Sequence, residues 1–264
     1  MAAMAIFGVT YVSLPIEVVL VTEAARIAAP LQMTRSGADD ISPDFQRTFW
    51  VIYSLESEFC FNTGRASAIP SHDISCPVPQ TILPFLPNFN WLRFISGYAQ
   101  MISGIYERLF SAKARSLSKE CRQIEATRAF EELENWKNSA PEELRPGLPV
   151  RPHRLEKPQS VALAIQIHFW YHNVRIALSR VSISISTRDH ANSRCYKLTL
   201  TESARAIIDL GLPFSIHNYF ALEETGFSLA CSDTSPFPEA ESGFVFADFM
   251  AESFPETEQG NNGR

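Results

Sequence analysis

Hydrophobic positions recur along most of this chain at steps of three and four residues, the period of an α-helix. Between residues 15 and 29, Ile16, Val19, Leu20, Ala24 and Ile27 keep that spacing, and Pro30 is expected to stop the helix. Ser42-Pro43 offers an N-cap followed by proline at the first helical position, which predicts a helix to Thr63 ended by Gly64. Trp91, Phe94, Ile95, Tyr98, Ile102, Ile105, Tyr106 and Leu109 predict a helix over 91–114. A more polar helix is expected over 117–138 on Ile124, Leu133 and Trp136, with others over 159–181 and 193–212. Ser139-Ala-Pro-Glu142 fits a capping box opening a short helix that Pro146-Gly147 closes.

Proline separates these helices. Residues 65–90 hold Pro70, Pro77, Pro79, Pro84 and Pro87, too many for a regular helix. The same stretch carries Ile69, Ile74, Val78, Ile82, Leu83 and Phe85, so it is expected to pack on the helical body. Residues 148–158 form a second linker. The alternating run Val181-Ser-Ile-Ser-Ile-Ser186 is the only strand-like piece, and it reads as a helix end and loop. The pattern predicts an all-α fold, an irregular helical bundle with proline-rich loops, over residues 1–220. From Ala221 the helical period fades, and 221–264 is expected to be an acidic, disordered tail.

Composition sharpens that division. A chain of 264 residues, 45% hydrophobic, suffices for one sizeable core or two small ones. The net charge of −6 excludes a generally basic, nucleic-acid-coating protein. Residues 1–220 carry +2, and 221–264 carry −8. No basic segment precedes Arg26, and no uncharged apolar run reaches the roughly 20 residues of a membrane span, so a soluble intracellular protein is expected. Five cysteines, widely spaced and without a CxxC, argue against a disulfide framework and read as small buried thiols.

Enzyme motifs are absent: no phosphate loop, no GxGxxG, no GxSxG and no HExxH. His168, His172, Arg175 and Ser179 share one stripe of an otherwise apolar helix. That stripe is expected to be solvated, with a ligand-binding polar groove as the sharper alternative. The i, i+4 histidines lack a third metal ligand, and Cys60, His72 and Cys76 make only a weak metal set. On the helix from residue 45 to 59, Phe45, Phe49, Ile52 and Phe59 form an apolar face with Glu56 in its middle. A buried carboxylate needs a partner, and Glu56 is expected to pair with Arg65 and pin the proline-rich loop. No catalytic residue and no resident cofactor or metal is assigned.

The run Arg47-Thr-Phe-Trp50-Val-Ile-Tyr53-Ser-Leu-Glu56, continued by Gly64-Arg65-Ala-Ser-Ala-Ile69 and Asp73-Ile-Ser-Cys-Pro77-Val-Pro79, resembles the fungal-specific transcription factor domain. This is the middle homology regulatory region of zinc binuclear cluster activators. Ala24-Ala-Arg-Ile-Ala is similar to the helix before it, and 91–212 fits more loosely as a succession of helices. The resemblance implies an all-α regulatory domain, nuclear action and control of transcription of a metabolic pathway or gene cluster, without catalysis. It marks Arg47, Trp50, Tyr53, Glu56, Gly64, Arg65, Asp73 and Pro77 as motif residues.

A zinc cluster needs six cysteines in a short basic segment, and this sequence has none such. Zinc and direct DNA contact are therefore expected of a missing N-terminal module, and the domain itself is expected to be partial at both ends. The expected partners are proteins: the transcription machinery or a full-length relative, with no membrane. Two alternatives stand beside this reading, an inhibitory dimerisation partner of a full-length regulator and a small-molecule-sensing helical domain. In the tail, Phe244, Phe246, Phe249, Met250 and Phe254 interleave with acids, the composition of an activation segment.

Overall fold

Helix α2 (Pro43–Thr63) is buried on all sides from Phe49 to Ser57, so it is the central helix of the fold rather than an amphipathic surface helix. In the computed structural model, residues 16–33, 43–80, 82–83, 86–148, 150, 155, 158–186 and 190–224 are described. Among them the chain runs through α1 (Ile16–Met33), α2, a 3₁₀ turn (Ser71–Asp73), strands β1 (Ile82–Leu83) and β2 (Leu86–Asn90), and α3 (Trp91–Ile105). A π-helical turn (Tyr106–Phe110), α4 (Ala112–Arg115), α5 (Lys119–Asn138), a 3₁₀ turn (Glu142–Leu144), α6 (Pro158–Ile185) and α7 (His190–Glu224) complete it. The fold is predominantly helical, as the periodicity predicts. Helix α1 packs on α2, α2 on α3, α3 and α6 on α5, and α7 along α6.

Several boundaries differ from expectation. Helix α1 runs through Pro30 and ends three residues later. Proline there removes only one backbone bond, the one a donor at 30 would give to Arg26 O, in the last turn of the helix. Its buried side is Val21, Ala24, Ala25 and Ala28, while Val19 and Ile27 are exposed. The small side chains are the ones that face α2. Ser42 lies outside the described residues, but Gly64 ends α2 as expected, at φ +68° with Arg65 N–H donating to Cys60 O at 2.9 Å.

The proline-rich segment holds a short antiparallel ribbon, β1 with β2, where a loop without strands is expected. The helix expected over 91–114 is three pieces. Asn90 caps α3 by accepting from Arg93 N–H, and the π turn and α4 follow. Ser139 opens no capping box: its hydroxyl donates back to Trp136 O at 2.6 Å, and Pro141 precedes the 3₁₀ turn without a side-chain cap. Ile124 on α5 is exposed, and Ala126, Ala129, Leu133 and Trp136 are the buried face. The strand-like run after Val181 belongs to α6 up to Ile185, and α7 carries the helix four residues past 220.

An aromatic array fills the core. Trp91 and Trp170 stack at 6.1 Å, Tyr98 and Trp170 at 4.9 Å, and Phe94 and Trp136 at 4.7 Å, joining α3, α5 and α6. The Trp136 indole N–H donates to Phe94 O at 3.3 Å. Among the described residues, no helix is long and apolar enough to cross a membrane.

Candidate functional site

Glu56 sits on the central helix with 2% of its surface exposed, and it does anchor the loop, but not through Arg65. Its carboxylate accepts from Ala68 N–H at 2.6 Å, from Ser67 Oγ at 2.6 Å and from Cys60 Sγ at 3.3 Å. Three donors satisfy the buried acceptor without a cation. Arg65 leaves the Gly64 turn toward solvent, with its guanidinium 6.0 Å from the Phe59 ring centroid. Ser67 Oγ also accepts from Ile69 N–H at 3.0 Å, which closes the loop on itself.

A second clamp holds the far end of the segment. The Trp50 indole N–H donates to Pro77 O at 3.0 Å, and Asn90 Nδ2 donates to Pro79 O at 3.4 Å. Trp50 and Glu56 leave the same helix about two turns apart, so the loop is gripped at 67–69 and again at 77–79. The Tyr106 hydroxyl adds a third tie, donating to Gly64 O at 3.0 Å. Of the remaining motif residues, Arg47 pairs with Asp44 at 2.8 Å on the surface, and Asp73 lies in the 3₁₀ turn beside the exposed His72.

Between the α2 terminus, this loop and the π turn lies an open cleft of about 120 Å³. Ser57, Cys60, Arg65, Ser103, Tyr106 and Glu107 line it. The buried Tyr53 hydroxyl lies near Ser57 and Ser103 without reaching hydrogen-bond geometry to either, and burial raises its pKa. Burial, with Glu56 adding to it, pushes the Cys60 thiol up to about 12, and burial pushes Cys76 up to about 11. Both stay protonated, which does not suit a nucleophile. Cys60 is buried beside Glu56 and His72 is exposed, so Cys60, His72 and Cys76 form no metal set. Among the described residues no three His, Cys, Asp or Glu side chains are placed to hold an ion. These residues do not fit a zinc cluster. Of the cysteines, Cys121 and Cys195 are exposed thiols, contrary to the expectation of burial.

The histidine stripe differs most from expectation. His168 and His172 are 5% and 7% exposed, and Ser179 is fully buried, because α6 lies between α5 and α7. Burial holds both imidazoles neutral, with pKa values lowered to about 4. His172 is pushed further by His168 and Arg175. Arg175 leaves the stripe to pair with Glu202 of α7 at 3.6 Å and covers the Tyr171 ring at 5.9 Å. These residues form an interhelical joint, not an open groove.

The sequence pattern gave no sign of Ser57, Ser67, Ser103, Tyr106 or Glu107 at one cleft, nor of Glu58 against Trp170. Small hydroxyl side chains on helices carry no periodic signature, and the π turn that brings Tyr106 to Gly64 breaks the helical period itself. The tail residues Phe244, Phe246, Phe249, Met250 and Phe254 lie outside the described residues.

Two curated fungal proteins share sequence with this chain. An ABC-transporter-regulating transcription factor of Aspergillus fumigatus is 27% identical over 150 residues, covering 52% of this chain and 16% of the relative. The protein of the same description from Aspergillus oryzae matches to the same extent. The chain is thus distantly homologous to fungal transcription factors, over about a sixth of their length. No family model matches the chain. No solved structure matches it.

Proposed function

We propose that residues 1–220 act as a helical regulatory domain of a fungal transcriptional regulator, of the middle homology type found in zinc-cluster activators. The supporting observation is the distant homology to two fungal transcription factors, together with Phe49–Glu56 of the motif run forming the buried centre of the fold. Such a helix organises a domain. It presents no nucleophile–base pair, since its thiol is held protonated and its carboxylate is saturated by donors.

In this reading the domain works in the nucleus through protein contacts, and DNA contact and zinc belong to a separate module. The −8 segment 221–264, with Phe244, Phe246, Phe249, Met250 and Phe254, serves as an activation segment. The relatives' names suggest genes for ATP-driven transporters as the regulated class. The test is deletion of the gene in its host followed by transcript profiling. Changed transporter transcripts, restored by re-expression but not by Trp50→Ala, are the expected result. An unchanged transcriptome would overturn the proposal.

A further inference from the structure

Helix α7 keeps one face away from the bundle. Arg194, Lys197, Leu198, Thr201, Arg205 and Ile208 follow one another at helical steps and are all exposed. Leu198 is 56% exposed and Ile208 62%, so both are available for contact on this face. Arg194, Lys197 and Arg205 enter none of the ion pairs formed among the described residues. Of the nearby acids, Glu202 is turned to Arg175 of α6, and Asp209 flanks the stripe at its end. The result is a solvent-facing strip of three cations, outside the ion pairs among the described residues, interleaved with two apolar side chains.

The chain contains a segment of complementary chemistry. Residues 244–254, Phe-Val-Phe-Ala-Asp-Phe-Met-Ala-Glu-Ser-Phe, hold Phe246, Phe249, Met250 and Phe254 at helical spacing, with Asp248 and Glu252 beside them. Glu239, Glu241, Glu256 and Glu258 flank it with further negative charge. We propose that residues 244–254 dock on the Arg194–Ile208 strip of α7 in the same chain.

The lengths agree. Leu198 and Ile208 are ten residues apart, about 15 Å along the helix, and a segment of eleven residues is about as long if helical. Ile208 lies about 24 Å and Leu198 about 39 Å from the end of α7 at Glu224. The nineteen residues 225–243 span at most ~63 Å extended and average ~25 Å at coil dimensions. A connector of about the span it must cross gives the highest effective concentration, so weak contacts suffice to hold the segment. The chain doubles back antiparallel to α7, with Phe244 near Ile208 and Phe254 near Leu198. Asp248 and Glu252 then meet Arg205 and its neighbours.

Photo-crosslinking of the full chain tests this, with p-benzoylphenylalanine in place of Phe249. The expected product has the monomer mass and maps to residues 194–208. Its yield falls about threefold or more in about 0.5 M sodium chloride, where charges are screened. It falls likewise in Arg194→Glu/Lys197→Glu/Arg205→Glu, and Asp248→Lys/Glu252→Lys in that background restores it. Should the triple variant lose helical circular dichroism, the salt series on the unaltered strip decides. An adduct at dimer mass (a second copy on the strip), an adduct on another element, or a yield indifferent to salt would each overturn the proposal.

Discussion

The Trp170 indole N–H donates to Glu58 Oε1 at 2.8 Å, joining residues 112 apart in sequence and tying the middle of α6 to the central helix. The carboxyl lies against the aromatic array, close enough that its charge adds to the raised pKa of Tyr98, which burial dominates. Burial pushes Glu58 itself up to about 7, against the opposing pull of the Trp170 hydrogen bond.

That shift fixes a pH dependence. An unfolded Glu58 releases its proton near 4.5, and the folded one holds it to about 7. Its stabilising contribution is fully present below pH 4.5 and is lost as pH rises through 7, by on the order of 3 kcal/mol. Glu58→Gln keeps an acceptor for Trp170 and removes the titration. Urea unfolding from pH 5 to 8 should decline in the parent chain and stay flatter in the variant. Equal slopes would show that the Glu58 pKa is not raised.

The two buried imidazoles act in the opposite direction. Their folded pKa values of about 4 lie below the ordinary 6.5, so their contribution is present above pH 6.5 and is lost as pH falls toward 4. A shift of that size corresponds to on the order of 3 kcal/mol for one imidazole, shared in part because the two act on each other. His172→Gln should lessen the acid-side loss, which stability measured at pH 6.5, 5.5 and 4.5 would reveal.

Glu56 and Arg65 separate two accounts of how the loop is held. Glu56→Ala removes the acceptor of Ala68 N–H and Ser67 Oγ and should cost about 2–3 kcal/mol. Arg65→Ala should cost less than about 0.5 kcal/mol, since it breaks no ion pair. Comparable losses in both variants would restore the salt-bridge account.

Gly64 occupies the left-handed region at φ +68°, with open space where a Cβ would stand. Its replacement is therefore a pure backbone test. Gly64→Ala should lower stability by about 1 kcal/mol, and Gly64→Asn by less, because asparagine tolerates that conformation. Thermal denaturation of the two variants ranks them.

The helices were legible in the sequence because each long one carries its own hydrophobic period. Their ends were less so: Gly64 acts where expected, but Pro30 does not stop α1, and the caps at Asn90 and Ser118 show only in the structure. Partners were less legible. Glu56 was recognisable as a buried charge in need of donors, but one of those donors is a backbone N–H at Ala68, which leaves no mark in the sequence. The His168–Ser179 stripe is buried rather than solvated for a related reason. Periodicity reveals a polar stripe, but not that a second helix, α7, lies across it. The β1–β2 ribbon was hidden because its strands are short and lie among closely spaced prolines, without the sustained alternation that marks a half-buried strand.

All four tryptophans are buried, Trp50, Trp91 and Trp170 almost completely and Trp136 at 7% exposure. Trp91 and Trp170 are also nearly parallel, 11° apart. The molecule therefore carries its own optical gauge. Indoles shielded from water emit toward the blue, and two stacked indoles couple their near-ultraviolet transitions into circular dichroism. Any event that parts α3 from α6 must register in both signals without a label.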